Sequence, residues 1–200
     1  MLSRKAPPPA GPPSPLSVAL VAMPGAGKST LGRILGRHWS LPFRDADHEI
    51  EREAGMSVRE FFATHGEPAF RDLEAQVIER LSREGPMVLA TGGGAVLRES
   101  NREALRRAYT VVYLRTTPEE LGRRLRHDRQ RPLLQVSDPM AKLRELFRDR
   151  DPLYRRTAHF VIETGRPSVQ SLANMVLMQL ELAGLADPFA SGQSPDFRSR

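Results

Sequence analysis

Ser17 to Met23 (SVALVAM) is an unbroken apolar run that leads into Pro24-Gly25-Ala26-Gly27-Lys28-Ser29-Thr30, and a helical pattern starts at Lys28. An apolar run of this length closed by glycines reads as a strand buried on both faces, the kind found inside a parallel sheet. Glycines at the joint let backbone N–H groups turn inward around an anion, and the helix start adds the positive end of its dipole. Gly25, Ala26, Gly27, Lys28, Ser29 and Thr30 are therefore predicted to cradle the phosphates of a nucleoside triphosphate. In that arrangement Lys28 reaches the β- and γ-phosphates and the Ser29 hydroxyl sits on Mg²⁺. Loops of this type usually carry a further glycine five residues before Gly27, where this chain has Ala22. The departure matters only if the backbone there needs a positive φ. A chance Gly-rich turn is the plain alternative, and the strand–loop–helix context argues against it.

The rest of the chain alternates in the same way. Strands are expected at 42–45, 87–90, 109–114 and 160–163. Helices are expected at 48–53, at 58–65 with Ser57 and Glu60 as a capping box, and at 67–83. Others start at Thr117-Pro118, at Asp138-Pro139 and at Val169, the last ending near Ala183. Strands separated by helices imply a parallel sheet covered on both faces, with reactive groups gathered at the carboxyl ends of the strands. Residues 1–16 hold six of the seventeen prolines and almost no large apolar group, so they are expected to be a flexible tail. Residues 184–200 read the same way, leaving one domain over 17–183.

Composition excludes several classes. No stretch approaches the ~20 apolar residues of a membrane span, mean hydropathy is −0.42, and the start of the chain lacks the apolar core of a secretory signal. The absence of cysteine removes disulfide frameworks, thiolate zinc sites and cysteine nucleophiles, and is compatible with a reducing cytoplasm. The histidines (38, 48, 65, 127 and 159) show no metal-ligand spacing. The net charge is +6, and lysine occurs only at 5, 28 and 142, so the positive charge is mostly guanidinium. Guanidinium recognises phosphate and carboxylate with two prongs. Anionic partners follow, either nucleic acid or small anionic metabolites. A merely solvated basic surface is the competing reading.

Three further features carry chemistry. Asp45-Ala46-Asp47 ends the second strand, where alternation would send both carboxylates to one side. One would serve the water shell of a metal and the other an acceptor hydroxyl; capping of the next helix by Asp47 is the alternative. Thr91-Gly92-Gly93-Gly94-Ala95 ends the third strand, and its glycines permit close backbone approach to a ligand, or mark an ordinary turn. Arg71 stands at the start of a predicted helix, Arg131 before Pro132-Leu133-Leu134, Arg150 before Asp151-Pro152-Leu153-Tyr154, and Arg166 just after the last predicted strand. The segment 123–131 holds five arginines without aromatic residues to stack bases, so a mobile arginine-bearing lid at about 123–137 is favoured over a nucleic-acid patch.

Together these residues resemble the shikimate kinases. The resemblance covers about residues 17–183 and rests on Met23 to Thr30, Asp45-Ala46-Asp47-His48-Glu49-Ile50, Phe61-Phe62, Gly66-Glu67 with Phe70-Arg71, Gly92-Gly93-Gly94-Ala95-Val96, Arg131-Pro132-Leu133-Leu134, and Arg150 with Pro152-Leu153-Tyr154. It implies an α/β three-layer fold with a five-stranded parallel sheet of order 2-3-1-4-5, similar to nucleoside monophosphate kinases. The implied activity is ATP-dependent phosphorylation of the 3-hydroxyl of shikimate, a step of aromatic amino-acid (chorismate) biosynthesis. It also implies roles for particular residues. Asp47, Arg71, Gly92, Gly93, Gly94 and Arg150 match shikimate-binding positions, with the two arginines on the carboxylate and Asp47 on the reacting hydroxyl. Ser29 and Asp45 match positions that hold Mg²⁺, and Arg131 matches the lid arginine on the transferring phosphate. Arg124 and Arg166 fall near adenine-contacting positions. Lys28, Asp47 and Arg131 are thus the expected catalytic residues of a monomeric, cytoplasmic enzyme without nucleic-acid or membrane partners. Rival readings are a gluconate kinase, a nucleotide-dependent nucleic-acid binder and a catalytically silent ATP sensor.

Overall fold

In the computed structural model, which describes residues 16–126, 136–165 and 168–185, the apolar run becomes β1 (Val18–Val21), and each of its residues is fully buried. Among the described residues β1 is the middle of a five-stranded sheet with β2 (Phe43–Asp45), β3 (Val88–Ala90), β4 (Thr110–Arg115) and β5 (Phe160–Glu163). The order is β2-β3-β1-β4-β5 and every neighbouring pair is parallel, as expected. Arg131, Arg166, most of the expected lid at 123–137, and nearly all of both expected tails lie outside the described residues.

The helices follow their capping chemistry. α1 (Lys28–His38) starts directly from the glycine loop, with Gly25 and Gly27 at φ 84° and 89°, a region costly for other residues. The expected capping box opens α3 (Val58–Leu81): the Glu60 N–H donates to Ser57 Oγ at 3.2 Å, and the Ser57 N–H donates to Glu60 Oε2 at 2.9 Å. Gly66 (φ 77°, ψ 173°), two residues before Pro68, breaks α3 into the two stretches the sequence predicts. The break folds Phe62 onto Phe70, with ring centroids 4.3 Å apart. α5 (Pro118–Leu125), α6 (Pro139–Thr157) and α7 (Val169–Leu182) start at Thr117, Asp138 and Ser168, whose side chains accept from backbone N–H groups of the first turn. No helix among the described residues is long and apolar enough to cross a membrane.

Two elements differ from expectation. Strand alternation does not bring the two aspartates together. β2 stops at Asp45, and α2 (Ala46–Ala54) starts at once, with Asp45 rather than Asp47 as its cap: the Asp47 N–H donates to Asp45 Oδ1 at 3.1 Å. A further helix, α4 (Glu99–Ala108), follows a 3₁₀ turn at Ala95–Leu97 and was not expected at all. It buries only Asn101, Ala104 and Leu105, and no side chain caps its start. Asn101 Nδ2 donates to Ala95 O at 3.0 Å and Arg102 Nη1 to Val96 O at 2.8 Å, so α4 fastens the turn after the three glycines.

At the far edge of the core, His159 Nδ1 accepts the Val111 N–H at 2.9 Å. Burial, with Arg106 nearby, holds this imidazole below its ordinary pKa. The folded state therefore prefers the neutral ring. Its contribution is complete above the unfolded value of about 6.5 and is lost as pH falls from there through the lower folded pKa. The melting temperature should drop between pH 7 and 5, and His159→Asn, which keeps an acceptor that cannot titrate there, should flatten that slope. An unchanged slope in the variant would mean that other groups set it.

Candidate active site

The carboxyl ends of β1, β2 and β3 open into a cleft of about 530 Å³, as expected for a sheet whose connections diverge beside its central strand. On its first wall Gly25, Gly27, Lys28, Ser29 and Thr30 face the space. Ala26 does not; its side chain is buried and its N–H donates to Met23 O at 3.3 Å within the turn. Lys28 is almost buried, and its ammonium donates to the carbonyls of Ala22 (3.1 Å) and Met23 (3.3 Å). Ala22 is harmless where it stands, since Ser40 is the sole non-glycine residue with positive φ among the described residues. Ser29 Oγ donates to Asp45 Oδ2 at 2.6 Å, so the carboxylate that caps α2 also anchors the loop hydroxyl.

The second wall is built from the three glycines and two guanidinium groups. Asp47, in the first turn of α2, lines the cleft, and a Cβ placed on Gly92 would lie 2.8 Å from its Oδ1 and 3.0 Å from Glu74 Oε1. Arg71 reaches so close to Gly94 that a methyl group there would collide with its guanidinium. Arg150, nearly buried on α6, donates from Nη1 to Gly93 O at 3.1 Å. Close approach of side chains to backbone is thus the reason for the glycines, and an ordinary loose turn is not what stands here. Arg124 also lines the cleft and donates to Gly165 O at 3.3 Å, next to Arg166, which is outside the described residues as is Arg131.

Glu74 is the residue that sequence reasoning missed. It is 1% exposed and receives Arg71 Nη1 at 2.7 Å, while Glu67, exposed, takes the Nε and Nη2 edge at 3.2 and 3.0 Å. Burial lifts the Glu74 carboxyl above its ordinary pKa, Arg71 opposes this, and the Asp47 carboxylate adds to it. Its spacing of three from Arg71 on a helix was the available signal. Of the two partners, the exposed Glu67 is the one an incoming carboxylate can replace, since its carboxylate returns to water when displaced whereas Glu74 is buried. Phe62 and Phe70 close the cleft beside Arg71, whose guanidinium carbon lies 5.2 Å from the Phe70 ring centre.

A cradle for phosphates on one wall and paired guanidiniums with a carboxylate on the other suit transfer of a phosphoryl group to a small anionic acceptor. With this strand order the chain is of the P-loop kinase class. The shikimate kinase family model matches residues 24–181. The shikimate kinase of Ralstonia nicotianae is 53% identical over 184 residues, which are 92% of this chain and 97% of that protein. The solved structure of the Acinetobacter baumannii shikimate kinase in complex with shikimate superposes with a TM-score of 0.81 at 42% identity, over 87% of this chain and 97% of that one. A gluconokinase structure from Sinorhizobium meliloti reaches a TM-score of 0.52 at 17% identity over 86% of this chain and 94% of that one, a likeness of fold alone. The chain belongs to the shikimate kinase family.

Proposed function

We propose that the chain transfers the γ-phosphoryl group of ATP to the 3-hydroxyl of shikimate, supplying shikimate 3-phosphate to aromatic amino-acid biosynthesis. Family membership carries the reaction. The observation that supports its placement is the convergence of the phosphate loop, Asp47, Arg71 and Arg150 on one cleft.

Phosphoryl transfer passes through a loose, highly anionic transition state, so positioning and charge stabilisation do most of the work. The loop N–H groups and Lys28 hold the phosphates. Arg71 and Arg150 take the shikimate carboxylate, and the glycine strand end lets the ring lie against backbone. Asp47 orients the acceptor hydroxyl and receives its proton late, when that oxygen has become acidic. Arg131 is proposed on the transferring phosphate, and Arg124 and Arg166 at the adenine. The Ser29–Asp45 pair is a hard oxygen set beside the phosphates and fits Mg²⁺, which favours one or two such groups plus phosphate and water. Ser29 would hold it directly and Asp45 through water, and the ion supplies neutralisation of phosphate charge when bound.

The proposed enzyme is a monomer of one domain (17–183) in the cytoplasm, without nucleic-acid or membrane partners. Exposed arginines support the solvated reading of the charge, because many are interleaved with carboxylates, as in Arg80–Glu84, Arg83–Glu79 and Arg107–Glu79. The direct test is ADP release measured with shikimate, quinate and gluconate side by side. Shikimate should support turnover and gluconate should not; equal or faster turnover with gluconate would overturn the assignment. Arg71→Lys should raise the KM for shikimate about tenfold with ATP affinity intact, since one ammonium cannot reproduce a two-pronged contact. An unchanged KM would place the carboxylate elsewhere.

A further inference from the structure

We propose that Tyr154 is a positioning residue that ties the donor wall of the cleft to the acceptor wall and so sets the distance across which the phosphoryl group moves. The proposal rests on the functional reading above.

The Tyr154 side chain is fully buried, and its hydroxyl lies 3.0 Å from Ala22 O and 2.5 Å from Gly93 O. The first carbonyl belongs to the exit of β1, immediately before the phosphate loop; the second is the middle of the glycine strand end. A single hydroxyl proton is thus aimed between one atom from each wall. The same two carbonyls are the ones gripped by charged groups of the site: Lys28 Nζ donates to Ala22 O and Arg150 Nη1 to Gly93 O. Arg150 and Tyr154 stand four apart on α6, so they share one face of that helix. The ring is itself fixed. Tyr113 stacks on it with centroids 4.8 Å apart, and the Tyr113 hydroxyl donates to Asp151 Oδ1 at 2.8 Å.

A purely structural tyrosine would need neither acceptor to come from the cleft. Here both do, and each retains a charged donor if the hydroxyl is lost. Tyr154→Phe therefore leaves no buried carbonyl orphaned, and the change removes chiefly the tie. Misplacement of reacting groups by small distances is costly to the chemical step and not to ground-state binding.

The test compares Tyr154→Phe with Tyr109→Phe. Tyr109 is an equally buried tyrosine whose hydroxyl donates to a carbonyl, Leu81 O at 2.8 Å, but at the opposite end of the sheet. Each variant removes one buried hydroxyl that donates to backbone carbonyl oxygen, and melting curves should show comparable destabilisation. Steady-state kinetics well below the melting transition should give at least a fivefold fall in kcat for Tyr154→Phe, with the KM values for ATP and shikimate within twofold of wild type. Tyr109→Phe should keep wild-type kcat. A kcat for Tyr154→Phe within twofold of wild type, or an equal loss in Tyr109→Phe, would overturn the proposal. Wild-type turnover with shikimate checks the functional reading separately, because the tyrosine is judged only from the ratio between variant and wild type.

Discussion

Asp47→Asn should bind ATP normally and lose about 10²- to 10⁴-fold in kcat, the range a positioned general base contributes. The substitution keeps the size of the side chain and removes the charge that orients the acceptor hydroxyl and takes up its proton. Asp47 is well placed for this. It sits in the first turn of α2 over Gly92, lines the same cleft as the loop, and has the buried carboxyl of Glu74 as its neighbour. Single-turnover measurements at saturating ATP and shikimate would isolate the chemical step. Turnover within a few-fold of wild type would remove Asp47 from the chemistry and leave it as part of the wall.

Lys28→Met should have the second largest effect, a fall in kcat of about 10²- to 10³-fold, as for loss of one preorganised donor at a developing charge. The lysine stem is almost wholly buried, so methionine keeps its packing while the ammonium disappears. The ammonium is already held at the mouth of β1 by the carbonyls of Ala22 and Met23, which limits how far it must travel to meet a phosphate. Both variants should melt close to wild type. A Lys28→Met protein with near-normal turnover would show that the loop amides and the metal suffice without it.

How much of this could be read from the chain depends on where the signal lies. The buried strands β1, β3 and β4 and the phosphate loop were legible because burial on both faces demands continuous apolar runs and a tight joint around phosphate demands glycine. The strand order, by contrast, came from the resemblance to the shikimate kinases. The starts at Ser57, Thr117 and Asp138 were legible through capping chemistry, and the stretches on either side of Gly66 were expected as separate helices. α4 was not, since its ten residues carry mostly Arg, Glu, Asn and Ser, with two buried apolar side chains and no cap. Its helicity comes from docking, not from local pattern. Asp45 and Asp47 do line one cleft, but strand alternation is not what puts them there, because β2 gives way to α2 directly after Asp45. Glu74 was missed because its spacing from Arg71 signals a pair, which on a charged helix is as common at the surface as in a buried site. The role of Ala22 became clear only from its backbone, where negative φ makes glycine unnecessary.

Whether the two walls serve one reaction is tested most directly by a structure of the protein with Mg²⁺, shikimate and a non-hydrolysable ATP analogue. The carboxylate of shikimate is expected between Arg71 and Arg150, its 3-hydroxyl on Asp47 and pointing at the γ-phosphate, and the metal on Ser29. Shikimate seated away from that gap, or turned so that another hydroxyl meets the phosphate, would contradict a shared site.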